Sequence, residues 1–356
     1  MPAREMPLPG GAPKRLSEAD PMKKALDILK RVAGTLMLPV IMFVVMKILC
    51  NANGKKFLEN MAMWKVLIPQ VAVSVACAMG IGLQFKNGRF DFSGGSIMLV
   101  SAIVAGSIAR DAGTGSPMLF CVIAVGMCVL LSLGVALVYV YGRLPIMIAT
   151  IGMALLYESI TPLIFGGGGV NLVSVKFIKQ LSAYPTVLIP FLCAVAVYAV
   201  YNYLATTGKQ SLLLARNQQA AVNIGVNENK NVILSYVYSG LIFGFATIIW
   251  ASLGKRDASF SSLSTVGELF SNILPVFVGL YIGAFCGDTI GIIMGSLAIC
   301  MMKTGLTTLF KAELGGAIST AMMGLFVFLV NLVAGQSGNL KKLLGKLFAT
   351  HQAVKA

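Results

Sequence analysis

Histidine occurs once in this chain, at His351. Without a second imidazole inside the chain, His-rich zinc chemistry and a Ser-His-Asp triad have little to be built from. Charge is scarce as well: Asp, Glu, Lys and Arg make up 12% of 356 residues, against about 25% in soluble domains. The little charge present is one-sided, with 28 basic and 13 acidic residues and a net charge of +15. Seven cysteines (Cys50, Cys77, Cys121, Cys128, Cys193, Cys286 and Cys300) form no CxxC pair and lie in or beside apolar runs. They read as small buried hydrophobes rather than a metal site or a disulfide frame. The GxxxxGK[ST] phosphate loop is absent too, and Gly166–Gly169, which lacks a following Lys-Ser/Thr, reads as a flexible turn. No polar stretch is long enough to bury a core of its own, so an ATPase domain is not built in. About thirty mostly polar residues precede the first apolar run, which excludes a cleavable signal peptide.

What remains is oil. Hydrophobic residues make up 57% of the chain and the mean hydropathy is +0.84. Repeated apolar runs of about 17–25 residues match the hydrocarbon thickness, so the expected fold is an all-α polytopic membrane protein. Ten spans are expected, at about 34–51, 66–85, 94–110, 116–141, 145–165, 184–205, 231–252, 269–286, 288–308 and 314–334. The domain plan is then a tail over 1–33, a transmembrane domain over 34–335 with a polar loop at 206–231, and a basic tail over 336–356. Amphipathic segments at 18–31 and 340–356 read as anchors on membrane lipid. With both termini inside, 17 of the 28 Lys and Arg fall on inner segments, led by Lys23, Lys24, Lys30 and Arg31 beside span one. That places both termini and the polar loop on the cytoplasmic side. The same rule explains the +15 charge without nucleic acid, for which no binding signature interleaves the basic residues.

The polar loop, Gly208 to Asn231, is the anomaly in this composition. Asn217 can cap a helix by accepting from an amide two or three residues on. Gln218 to Ile224 then makes about two turns, and Gly225 suits the left-handed position that closes them. Ala220 and Ala221 offer almost no side chain, so another surface can approach closely. A helix this short is marginal alone and needs tertiary contacts or a partner. A plain surface connector and a docking element are both open at this point.

The loop pattern N-x-x-A-A-x-x-x-G-[IV], here Asn217 to Val226, resembles the cytoplasmic loop of ribose/xylose/galactose-type permeases of ATP-binding-cassette importers, grouped with branched-chain amino-acid permeases. Gly208 and Lys209 resemble that family's G-R pair. Phe90 to Ser96, Pro145 to Met153, Phe165 to Gly167 and Gly267 to Leu269 resemble further family segments in the same order. Two departures stand out: Ala215-Arg216 replaces a glycine pair, and a glycine-rich stretch after span eight is reduced to Gly279, Gly283 and Gly287. The resemblance implies an importer permease fold in which Asn217, Gln218, Ala220, Ala221, Ile224 and Gly225 form the helix coupled to a soluble ATPase. It implies ATP used by that partner, no cofactor bound by this chain, an extracytoplasmic solute-binding protein, and a second permease subunit.

Polar groups inside the apolar runs are the other candidates. Asp91 can cap the amides at Ser93 and Gly94, with Gly95 completing the turn, and Lys86 or Arg89 can pair with it. Glu158 is the one acid well inside a span, and an intramembrane carboxylate is functional by default. It can bind substrate hydroxyls, pair with Lys303, or stay protonated against Ser159 and Thr161. Gln70, Ser74, Thr150 and Asn272 are further candidates for a solute path, though helix–helix hydrogen bonds use the same residue types. Glu268 reads as a helix-end charge. Asp91 to Leu99 faintly resembles Asp288 to Gly295, as two pseudo-equivalent halves would. The expected function is therefore the permease of an ATP-driven importer for a sugar or similar small polar solute. A proton- or sodium-driven carrier is the first rival, and a membrane-embedded enzyme the second.

Overall fold

The computed structural model describes residues 21–111, 116–260 and 263–310, with scattered positions from 314 to 325. The helices are α1 (Pro21–Ala52), α2 (Met61–Lys86), α3 (Gly94–Asp111), α4 (Pro117–Gly142), α5 (Ile146–Ile160), the single turn α6 (Lys176–Lys179), α7 (Leu188–Ala199), α8 (Thr206–Arg216), α9 (Gln218–Asn223), α10 (Glu228–Leu253), α11 (Val266–Cys286) and α12 (Asp288–Leu309). No strand forms among the described residues beyond an isolated bridge between Val170 and Arg256. Helix is the expected answer in lipid, because it satisfies every backbone group within its own segment.

Seven of these helices are long and apolar enough to cross a membrane, and an eighth span is counted if α7 and α8, bent by 65°, are taken together. Ten spans were expected. Part of the difference is α3, whose 18 residues include three glycines and three serines. The rest is the 314–334 run, of which only scattered positions are described. The surface helix expected over 18–31 is not separate: from Pro21 the chain runs unbroken into the first span. The C-terminal tail lies outside the described residues.

α10 is the hub, packed by α2, α3, α4 and α7. α2 and α10 itself are the most enclosed spans, whereas α1 and α4 leave most of their apolar surface outward. α11 and α12 form a hairpin around Gly287, which takes φ +92°. Their seam is made of small residues: a Cβ on Gly291 would lie 2.2 Å from the Gly279 carbonyl oxygen, and one on Gly295 would lie 2.7 Å from the Gly279 nitrogen. Gly279 with Gly283, and Gly291 with Gly295, are therefore paired G-x-x-x-G faces that let the backbones touch. Gly291→Leu is expected to cost at least the 1–3 kcal/mol (rough range) of an overpacked core. The check is the thermal midpoint of the purified chain in detergent, which should fall while that of an outward-facing change on α4 does not.

α3 starts inside the helix packing, with Gly94 and Gly95 buried. Its first residue, Gly94, packs against Phe243, in the middle of α10. The Gly166–Gly169 turn is docked rather than loose: a Cβ on Gly169 would lie 2.1 Å from the Arg256 carbonyl oxygen, beside the Val170–Arg256 bridge.

Candidate functional site: a capped helical elbow and a mid-membrane cavity

The chain leaves span six through a wide turn, Val200–Leu204, then bends into α8 and α9. Gly208 sits at that bend, and any Cβ there would lie 2.0 Å from the Tyr201 carbonyl oxygen. The α9 helix is built as its sequence requires. Asn217 Oδ1 accepts from Ala220 N at 3.1 Å. At the other end Val226 N donates to Ala221 O at 3.1 Å and Gly225 N to Val222 O at 2.9 Å, with Gly225 at φ +93°. That pair of bonds is a Schellman closure, and its apolar contact is present: Leu214, Ala221 and Val226 form a small buried cluster. Asn227 caps α10 in the same way, accepting from Lys230 N at 3.0 Å.

One expectation is corrected here. Ala221 is 3% exposed and packs inward, so it cannot offer its face to a partner. Ala220 stays exposed, joined by Val222 and Ile224, the latter 71% exposed. Ile224 also closes the helix as its C-cap rather than extending it. Gln218 is tied back to Glu228, with Nε2 donating to both carboxylate oxygens at 2.9 and 2.8 Å.

Beneath the elbow runs a buried polar clamp whose members lie far apart along the chain. Asn87 donates to the Tyr201 hydroxyl at 2.9 Å, Tyr201 donates to Ser211 at 2.8 Å, and Ser211 donates to Asn231 at 2.7 Å. Asn231 Nδ2 then reaches the Thr207 carbonyl at 2.9 Å. The clamp joins α8 to α10 and to the 87–93 segment that leads into α3. Alongside it Lys86 pairs with Asp288 and donates to Asn202, while Arg89 donates to Ser235 at 2.7 Å. Neither base pairs with Asp91, as had been expected.

Elsewhere in the packing, two buried carboxylates secure two helix starts. Asp91 Oδ1 accepts from Ser93 N at 2.8 Å and Ser93 Oγ at 2.6 Å, just ahead of α3. Glu158, at the end of α5, accepts from Ser264 N at 3.2 Å, Thr265 N at 2.7 Å and Thr265 Oγ1 at 2.5 Å, just ahead of α11. A carboxylate at the amino end of a helix is favoured by the helix dipole and the orphan amides. The two starts touch, since a Cβ on Gly95 would lie 2.5 Å from the Thr265 carbonyl oxygen. Glu158 therefore does not pair with Lys303, whose Nζ donates to the Ser271 carbonyl at 3.3 Å.

A cavity of about 30 Å³ lies beside these starts, among α2, α3, α10 and α11. Of the path candidates only Asn272 lines it, together with Glu268, which had read as a helix-end charge. Thr150 is fully buried and donates to the Met147 carbonyl at 3.3 Å; Ser74 is buried and Gln70 exposed on α2, and neither lines the cavity.

Comparison with known proteins fits this geometry. The family described as "Branched-chain amino acid transport system / permease component" matches residues 66–328. The chain is similar to the ribose import permease protein RbsC of Escherichia coli strain K12, 25% identical over 275 residues, 74% of this chain and 84% of that protein. It is also similar to the galactose/methyl galactoside import permease protein MglC of the same strain, 23% identical over 265 residues, 68% of this chain and 77% of that protein. A third relative, RbsC of Bacillus subtilis strain 168, is 22% identical over 278 residues, covering 76% and 84%. No solved structure matches. The matched region begins at residue 66, so α1 lies ahead of it.

Proposed function

Because the chain belongs to the branched-chain amino acid transport system permease component family, we propose that it is the membrane permease of an ATP-driven importer that carries a sugar or related small polar solute. The relatives named for ribose and galactose import support the solute class. The observation that carries the mechanism is the α8–α9 elbow: a rigidly capped helix that turns apolar side chains outward from a membrane protein.

A soluble ATPase docks on Gln218, Ala220 and Ile224, and ATP is bound and hydrolysed there, not by this chain. Asn217 and Gly225 hold the docked helix in shape. When the ATPases close, the elbow moves, and the Asn87–Tyr201–Ser211–Asn231 clamp passes that motion to α10 and to the segment ahead of α3. Since α3 and α11 begin against one another inside the membrane, displacing one opens or closes the space between them. A solute-binding protein delivers cargo on the opposite face, and a second permease subunit completes the path. The elbow faces the cytoplasm, and so does the start of α1: α2 ends at Lys86 beside Asn202 and Asp288 on the elbow side, which puts the 53–60 turn on the other.

The energy source separates this reading from an ion-driven carrier. Solute uptake is measured in cells or in right-side-out vesicles loaded with ATP, with the proton gradient collapsed by an uncoupler and ATP held constant. Uptake should continue at close to its normal rate. Uptake that stops with the gradient and ignores ATP would identify a carrier instead.

A further inference from the structure

The cavity beside the α3 and α11 starts holds a combination of groups that the fold itself does not use. Asp91 Oδ1 and both Glu158 oxygens are used at helix starts, as described above. The Glu268 carboxylate, in contrast, takes part in no hydrogen bond or ion pair among the described residues. It is exposed, at the cavity edge. One turn further along α11, Asn272 is 8% exposed, and its Nδ2 is held by the Glu268 carbonyl at 2.9 Å. Its Oδ1 accepts nothing among the described residues. The opposite wall carries Phe243 and Trp250. The indole is held by Arg256, whose guanidinium lies 3.8 Å from its ring centroid and donates to the Trp250 carbonyl at 2.6 Å. Gly94 and Gly95 complete the floor without side chains.

A carboxylate can only accept hydrogen bonds, and it repels anions. An amide oxygen at the next turn accepts as well. Aromatic faces opposite two acceptors suit a solute with hydroxyls along one edge and C–H groups on a face. Sites of this kind are mostly apolar with a few convergent polar groups. At about 30 Å³ the cavity has room for about one water-sized group, so it receives a hydroxyl-bearing edge rather than a whole ring. We propose that Trp250, Glu268 and Asn272 form a hydroxyl-recognition subsite on the solute path, selective for neutral sugars over their acid counterparts. The proposal rests on the reading of this chain as the path itself.

The test uses the chain's own fluorescence, without any ATPase. Trp64 and Trp250 are the two tryptophans, so Trp64→Phe leaves Trp250 as sole reporter in the purified full-length protein. D-ribose and D-galactose are titrated to tens of millimolar, with D-galacturonate as the charged counterpart. At least one neutral sugar should shift or quench the Trp250 emission saturably, and galacturonate should not. Glu268→Gln should weaken the neutral sugar by about 10-fold, the cost of one hydrogen bond to a charged group, and admit galacturonate. No saturable response to either neutral sugar, in protein that still transports it with ATP, overturns the subsite and leaves the importer intact. A response unchanged by Glu268→Gln overturns the role of the carboxylate. A normal response with no ATP-driven uptake would instead contradict the importer.

Discussion

Replacing Ala220 with Glu and Ile224 with Asp is expected to weaken ATPase association by about 30-fold or more and to abolish ATP-driven uptake. Interface hot spots cost about 2 kcal/mol or more when lost, and every 1.4 kcal/mol is about tenfold in affinity. Ile224, the C-cap of α9, is an apolar side chain that is 71% exposed. A charge there must be desolvated when a partner closes over it. Neither substitution touches the packed cluster of Leu214, Ala221 and Val226, so yield and thermal midpoint should stay near those of the parent. Ala221→Glu is the informative contrast. It puts a charge into that cluster and should lower stability first, with loss of docking as a consequence. Co-purification with the cognate ATPase, read beside thermal midpoints, distinguishes the two. Full association of the Ala220/Ile224 variant would remove the docking surface from the account.

The second large effect is expected at Glu158. Glu158→Ala leaves the buried N–H and hydroxyl of Thr265, and the part-buried N–H of Ser264, without their acceptor. A buried donor left unsatisfied costs about 1–3 kcal/mol, and partial relaxation brings the sum to roughly 3–5 kcal/mol. The start of α11 should loosen, and with it the contact between Gly95 and Thr265. Glu158→Gln keeps one carbonyl acceptor and should lose less than half as much. Thermal unfolding in detergent orders the three proteins as parent, Gln, Ala. If Glu158→Ala instead kept its stability and changed only which solutes are carried, Glu158 would be a ligand and not a clamp.

How much of this was written in the sequence depends on whether the cause is local. The α9 caps were legible because Asn217 and Gly225 act on amides and carbonyls within a few residues of themselves. Asp91 with Ser93 was legible for the same reason. The spans were legible from apolar length; α3 forms where it was expected, but its glycines and serines dilute its hydropathy and keep it out of the seven counted helices. Partners distant in the chain were not legible. Nothing in the spacing of Asn87, Tyr201, Ser211 and Asn231 announces that they meet, since three helices and a turn must fold before they do. Glu158 was flagged as costly, and its partners, 106 and 107 residues away, could not be named. Glu268 is the helix-end charge the sequence suggested, in the first turn of α11, but position in a helix does not say which cavity a charge borders. Ala221 was misread because a six-residue helix has one inner face, and the neighbours Leu214 and Val226 decide which residue fills it.

The central claim is that ATPase movement reaches the membrane interior through the clamp beneath the elbow. Its most direct test is the ratio of solute transported to ATP hydrolysed, measured in proteoliposomes holding the ATPase and the binding protein. The variant is Tyr201→Phe with Ser211→Ala, which removes the two middle hydroxyls of the clamp and leaves every exposed residue of α9 in place. The account predicts that the ATPase still binds and still hydrolyses ATP, while solute moved per ATP falls by about tenfold or more, because three buried hydrogen bonds worth roughly 0.5–1.5 kcal/mol each are lost. An unchanged ratio, with the ATPase bound as before, would contradict it.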